Sequence, residues 1–419
     1  MNPIVVAVLI LTAAACVAAL RWPLVGLLTY LCFDFMRPND FLFELRQYRL
    51  MLILALVTLA STAWHNRRTL FDRWWLLAPV VAFAAVVALA TLTSGDPLYS
   101  VDAMREAMKM LVLVWMIDVL VADERRVRAV FWVIALSLGV LAIYAATHAI
   151  ARGTLFEAYR AENTVAGPRS GNAGAFGDNN DLARVLALSL PLWWTLAARG
   201  APAWTRVVAA GGSVVTVFAI VCTLSRGGFL ALLVAVGVIA LSYPLWRQRA
   251  AVFLGFVVVL VVLAPQPYLD RIATIARPMA DNSFRERAEI WRQGTEIGLA
   301  HSLLGEGPGM FQRPDPRTAA TRRAPHNIFV ELVAEVGIAG LGAFLWMLIA
   351  ALLRLHRLRR TAPETSWLRT ASFGLEAAML AYLTASMALS HAFASPLFVL
   401  IGLALALESA APSARRLPA

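Results

Sequence analysis

Apolar residues in this chain come in blocks of about 15 to 25, the length an α-helix needs to cross a hydrocarbon core of ~30 Å. The blocks fall near residues 3–20, 22–36, 50–64, 74–93, 106–121, 129–149, 181–198, 205–223, 227–243, 250–264, 327–353, 370–389 and 393–409. A length of 419 residues would otherwise suit roughly two to four soluble domains. Composition excludes them: 60% of the residues are hydrophobic and 15% charged, whereas a soluble domain carries about 25% charge. The pattern predicts an all-α polytopic membrane protein. Several runs are short and only Arg21 separates the first two, so 12 and 13 spans both fit. Met1 to Leu20 has the length and Ala-rich end of a signal peptide. It lacks a basic start and further runs follow at once, so it reads as the first membrane segment.

Lys109 is the single lysine among 37 basic residues, and the formal net charge is +11. No RNA- or DNA-binding motif surrounds the arginines, which cluster between apolar runs, so nucleic acid is not an expected partner. The clusters at 65–73, 123–128, 247–249 and 354–360 all fall on one side if the intervening segments each cross once. The positive-inside rule makes that side cytoplasmic, together with the tail holding Arg415 and Arg416. Two long connections, 150–180 and 265–326, then face outward, with the Ser225-Arg226-Gly227-Gly228 turn. The chain divides accordingly into an N-terminal transmembrane region (1–264, with the outer loop 150–180), an outer loop domain (265–326) and a C-terminal transmembrane region (327–419). The first loop carries Arg152, Arg160 and Arg169, and the second carries nine arginines. Long loops are exempt from the positive-inside bias, which explains why outward arginines are tolerated; binding of an anionic ligand would explain why they are there.

Within the second loop, Asn282 or Ser283 is a candidate cap for a helix from Phe284 to about Ala300. Arg285, Glu289, Arg292 and Glu296 lie on one stripe at i, i+4, i+7 spacing, which reads most simply as a solvated face of ion pairs. Arg287 falls off that stripe, nearer the apolar side. Gly305-Glu-Gly-Pro-Gly309 breaks both helix and strand.

Four places are candidates for chemistry. His326 stands where the second loop enters the span near Ile328, after Pro325, so His326 or Asn327 takes the cap position. It is either a capping, interfacial histidine or a general base, since a neutral imidazole with pKa around 6.5 suits proton removal from a hydroxyl. Arg322 and Arg323 would help keep it neutral. Arg226 lies at a bilayer boundary, where it either snorkels or grips phosphate bidentately, with Gly227 and Gly228 allowing a bulky group close to the backbone. Asp178, Asn179 and Asn180, followed by Asp181, exceed what one helix cap needs and could orient a sugar or the loop arginines. Cys16, Cys32 and Cys222 lie in apolar runs, and no histidine has metal-ligand spacing, so neither a disulfide framework nor a metal site is expected. No nucleotide-binding loop appears, and no cofactor is expected. Ionisable residues within the spans are few, chiefly Asp34, Asp118, Glu335 and Glu376; polar groups gather on one face, which favours chemistry at the interface over a polysaccharide exporter.

These residues fall in an order that resembles the O-antigen ligase/polymerase superfamily of bacterial inner-membrane glycosyltransferases. The motifs are Tyr159-Arg160, Gly167-Pro168, Gly177-Asp-Asn-Asn180, Ser225-Arg-Gly-Gly228, Arg287-x-x-x-Trp291, Gly305-x-Gly-x-Gly-x-Phe311 and His326-Asn, followed by Gly337-x-x-Gly340. Arg21-Trp-Pro-Leu-Val-Gly26 and Met36-Arg-Pro-Asn39 resemble the exosortase-associated O-glycosylation ligases, with Arg37 where that subgroup tends to have Asn. The resemblance implies a GT-C-like bundle in the inner membrane whose active site faces the periplasm. It implies transfer of a preassembled glycan from undecaprenyl diphosphate to an acceptor hydroxyl, with inversion and without metal. Lipid A-core is the expected acceptor, as in lipopolysaccharide biosynthesis, with glycan polymerisation or protein O-glycosylation as alternatives. Arg160, Arg226 and Arg287 would hold the diphosphate, Arg226 also acting in catalysis. His326 would deprotonate or orient the acceptor, and Asp178, Asn179, Asn180 and Asn327 would orient substrate.

Overall fold

The computed structural model describes residues 2–67, 74–151, 179–198, 200–264, 266–276, 282–301, 303–314, 323–390 and 392–410. Among them there is no strand, and each of the thirteen apolar runs is a helix. In chain order these are α1 (Pro3–Arg21), α2 (Pro23–Met36), α3 (Leu50–His65), α4 (Ala78–Leu92), α5 (Pro97–Leu120), α6 (Glu124–Ala151), α7 (Asn179–Leu196), α8 (Ala203–Cys222), α9 (Arg226–Ala240) and α10 (Trp246–Leu263). Two loop helices follow, α11 (Gln266–Ala273) and α12 (Asn282–Ala300), and then α13 (Ile328–Thr361), α14 (Trp367–Ser386) and α15 (Ser395–Ser409). The chain is an all-α polytopic membrane protein. Prolines open α1, α2, α4, α5 and α15 in the first turn, where the missing N–H is an orphan in any case.

Six of these helices are long and apolar enough to cross a membrane by length and composition, and they differ in what surrounds them. α1 and α10 bury little of their surface; α10 presents Leu254, Val258, Val262 and Leu263 outward. At the other extreme, α7 is buried along almost its whole length, between α6, α8, α9 and α14. That position explains its composition. A helix enclosed by protein on every side need not be apolar to meet lipid, and α7 accommodates Asp181, Arg184, Ser189 and Thr195 in the interior.

Contacts at the helix termini sort the connections into two ends. At one, Arg128 before the body of α6 lies over the Trp367 ring that starts α14 (4.2 Å), and Arg354 late in α13 pairs with Glu408 at the end of α15 (3.3 Å). Two of the arginine clusters therefore share an end. The other end, the loop end, collects the starts of α7, α9 and α13 with the finish of α14.

The 34-residue helix α13 is broken at Gly337, which has φ 67° and ψ −169°. Only glycine takes that conformation at low cost. A broken helix leaves backbone groups that lipid cannot satisfy. Here the Gly305–Gly309 loop satisfies them: Glu306 and Gly307 donate their N–H groups to the carbonyls of Ala334 (2.8 Å) and Glu335 (2.9 Å), and Ala339 donates to Leu303 (3.1 Å). The buried Glu335 carboxyl group in turn accepts from the amides of Gly309 and Phe311. On its far side the loop meets the α4–α5 connection, where Gly307 leaves no room for a β-carbon beside Ser94, and Arg313 pairs with Asp96 (2.6 Å). The loop thus stitches α13 to the first half of the chain. Gly337→Ala should destabilise the folded protein by about 1–3 kcal/mol, read as a lower thermal midpoint in detergent; an unchanged midpoint would contradict the strain assigned to this break.

Candidate active site

The start of α9 is set by a strained turn. Leu224 has φ 53°, in the left-handed region that a branched residue rarely occupies, and Ser225 then caps the helix by accepting the Gly228 N–H (3.1 Å). The same hydroxyl donates to Asn180 Oδ1 (2.8 Å), which ties the start of α9 to that of α7. Arg226 is therefore the first residue of its helix, half-buried, at the positive end of the macrodipole. Its neighbours are glycines because other helices come close. This holds for Gly228, where a β-carbon would lie 2.7 Å from that of Ala183 on α7; at Gly227 a β-carbon would meet the Ala385 carbonyl oxygen and the Ala388 β-carbon only at 3.8 Å, an ordinary contact.

α13 begins with a comparable device. Asn327 is its cap, its side-chain oxygen accepting from the N–H groups of Phe329 (2.9 Å) and Val330 (3.3 Å). His326, with φ 48°, precedes it and donates its backbone N–H to Ser390 Oγ (2.9 Å). The loop before it is held by Trp291 of α12, whose indole N–H reaches the Pro325 carbonyl (2.7 Å).

α12 runs from Asn282 to Ala300, ending where the sequence spacing predicts and starting two residues earlier, so that Asn282 and Ser283 lie within the helix. Its charged stripe is a solvated one: Arg292 pairs with Glu289 (2.6 Å) and Glu296 (2.5 Å), all three more than half exposed. The Arg292 guanidinium and the Gln293 amide hold the Glu289 carboxyl down at about 2. Arg287 lies elsewhere, half-buried, and its guanidinium donates to the Ala388 carbonyl beyond the end of α14 (3.4 Å).

Two residues not singled out by the sequence hold these parts together. Arg184 on α7 is fully buried; it donates to Asp181 (2.7 Å) and to the Ser390 carbonyl (3.0 Å), and its guanidinium lies 5.0 Å from the centre of the Tyr382 ring. Ser390 receives both Arg184, on its carbonyl, and His326, on its hydroxyl. An arginine three residues after an aspartate inside an apolar run was the available signal for the first, because a lone charge there is costly. Nothing local marks Ser390.

Of the sequence-predicted residues, Asn180, Arg226, Arg287, His326 and Asn327 thus gather at the loop end, and Asn179 opens α7 beside them. Arg160 and Asp178 lie outside the described residues. Three helix N-termini and two arginines at one end make a positive field suited to an anion. His326 joins this end through its backbone N–H to Ser390.

Residues 211–345 match the family model described as O-antigen ligase, and residues 2–168 match a family of unknown function, DUF5935. No curated protein is similar enough to match. The first segment holds Arg226, Arg287, His326 and the break in α13. Ser225→Ala removes the α9 cap and the Asn180 bond together and should cost about 1 kcal/mol of stability, seen as a lower thermal midpoint; no change would mean that the cap is replaceable.

Proposed function

From a chain that belongs, through residues 211–345, to the O-antigen ligase/polymerase superfamily, we infer a GT-C-type membrane enzyme that moves a preassembled glycan from undecaprenyl diphosphate to an acceptor hydroxyl. The acceptor is the core sugar of lipid A-core, and the reaction takes place at the periplasmic face of the inner membrane. The observation that carries this reading is that the Arg287 guanidinium and the His326 backbone N–H both hydrogen-bond the stretch just past the end of α14, with Gly227, next to Arg226, beside the same stretch.

In this reaction the acceptor oxygen forms a bond to the anomeric carbon while the bond from that carbon to the phosphate oxygen breaks. The hydroxyl proton passes to the His326 imidazole. The electron pair leaves with the diphosphate, whose charge is taken up by the guanidinium groups of Arg226 and Arg287, joined by Arg160 from the first loop. In-line displacement inverts the anomeric centre. The N-terminal dipole of α9 favours the same charge, and fixed donors of this kind act without reorganising as charge develops. Because the energy resides in the diphosphate bond, no nucleotide is needed, and the arginines do the work of a divalent cation. Asn179 and Asn180, with Asp178 before them in sequence, and Asn327 at the start of α13 orient the glycan or the acceptor.

Purified protein in detergent, given a lipid-diphosphate-linked glycan with lipid A-core, a pilin-like protein and excess donor in competition, should release undecaprenyl diphosphate and glycosylate the lipid A-core. A product that requires a sealed membrane would indicate an exporter, and elongated donor would indicate a polymerase. His326→Ala and Arg226→Ala should abolish transfer while the folded yield is unchanged; near-normal transfer by either removes that residue from the mechanism. Arg287→Lys should lose about 10²- to 10³-fold in turnover if the planar fork is what stabilises the leaving group, and full activity would reduce it to a point charge.

A further inference from the structure

The end of α14 has a physical problem that its neighbours solve. The last carbonyls of a helix have no partner within it. Met387, Ala388 and Leu389 close the final turn with short-range backbone bonds, to Thr384, Ala385 and Ser386, and the chain then leaves the helix. The Ala388 and Ser390 carbonyls are taken up by guanidinium groups from two other helices, Arg287 on α12 and Arg184 on α7. Just beyond, the Ala392 N–H is taken by Glu331 of α13 (3.1 Å), and the Ser395 hydroxyl binds Asp34 of α2. Residues 387–390 are thus fixed from the side of the bundle and, through Ala388 and Ser390, touch the two groups assigned to donor and acceptor.

We propose that residues 387–390 set the spacing between Arg287 and His326, and that Arg184 is the positioning residue which fixes them through Ser390. The inference rests on the glycosyl-transfer reading for its kinetic consequence, but not for its structural one. Ser390 is the joint: one residue accepts from Arg184 at its carbonyl and from the His326 backbone at its hydroxyl. His326 sits in the left-handed region, which costs of order 1 kcal/mol or more for a non-glycine residue and persists only where surrounding bonds hold it. The Ser390 bond is one of those. Arg184 suits the role because its planar fork reaches two acceptors at once, Asp181 on its own helix and the Ser390 carbonyl across the interface, and it is stacked on Tyr382 with no access to solvent. An ammonium in its place could satisfy Asp181 but has no second arm aimed at Ser390.

The test uses the full-length protein in detergent with two variants. Ser390→Ala removes only the hydroxyl and leaves the buried Arg184–Asp181 pair whole, so the penalty of an uncompensated buried charge does not arise. Arg184→Lys keeps the charge and loses the fork. Amide hydrogen exchange at His326 should accelerate in both, by about 5-fold, the worth of one net hydrogen bond. With a lipid-diphosphate-linked glycan as donor, kcat should fall by about 10- to 100-fold through misplacement of the imidazole, while the donor KM stays within about twofold. Unchanged exchange at His326 in Arg184→Lys, or kcat equal to the wild type in Ser390→Ala, would overturn the proposal. If the wild-type protein turns over no lipid-linked donor, the glycosyl-transfer reading falls, and exchange at His326 alone then decides the positioning claim.

Discussion

A backbone group that leaves its helix inside a bilayer has to find a hydrogen bond within the protein, because hydrocarbon offers none. Most of the polar architecture here answers that constraint. The break at Gly337 is closed by the Gly305–Gly309 loop, the starts of α9 and α13 are closed by Ser225 and Asn327, and the Ala388 and Ser390 carbonyls just past α14 are closed by Arg287 and Arg184. The residues proposed to bind the donor and activate the acceptor are neighbours of these closures. Arg226 follows one cap and His326 precedes another. Helix ends at the edge of a bilayer need polar partners, and polar groups gathered there are what an anionic substrate can use.

The thirteen helices were legible because each carries a hydrophobic run, and the runs match the helices one for one; six of them are long and apolar enough to cross a membrane. The character of α7 was harder to read. Its run begins with Asp181 and encloses Arg184, and only the knowledge that protein surrounds it on all sides makes those charges affordable. Helical spacing was enough to separate Arg287 from the stripe of Arg292, because angular position on a helix is fixed by sequence. The break within α13 was only half legible. Gly337 stands in a recognisable motif, yet its left-handed backbone depends on a loop some thirty residues earlier. Ser390 carries no local signal, because its importance lies in which two elements meet it.

The two family matches divide the chain in a way that the contacts do not. The O-antigen ligase segment holds the arginines and the histidine, while the segment of unknown function supplies α2, α4 and α5. These helices reach the same end. Asp34 holds Ser395 where α15 begins, and the α4–α5 connection receives the glycine loop that closes the break in α13. The N-terminal half thereby braces the backbone that carries the proposed site.

The most direct measurement is a density map of the protein with a lipid-diphosphate-linked glycan bound. Diphosphate density within hydrogen-bonding reach of Arg226 and Arg287, with the first sugar toward His326, is the expected result. Diphosphate seated at the opposite end of the bundle, beside Arg354 and Arg128, or out of reach of all three groups would contradict it.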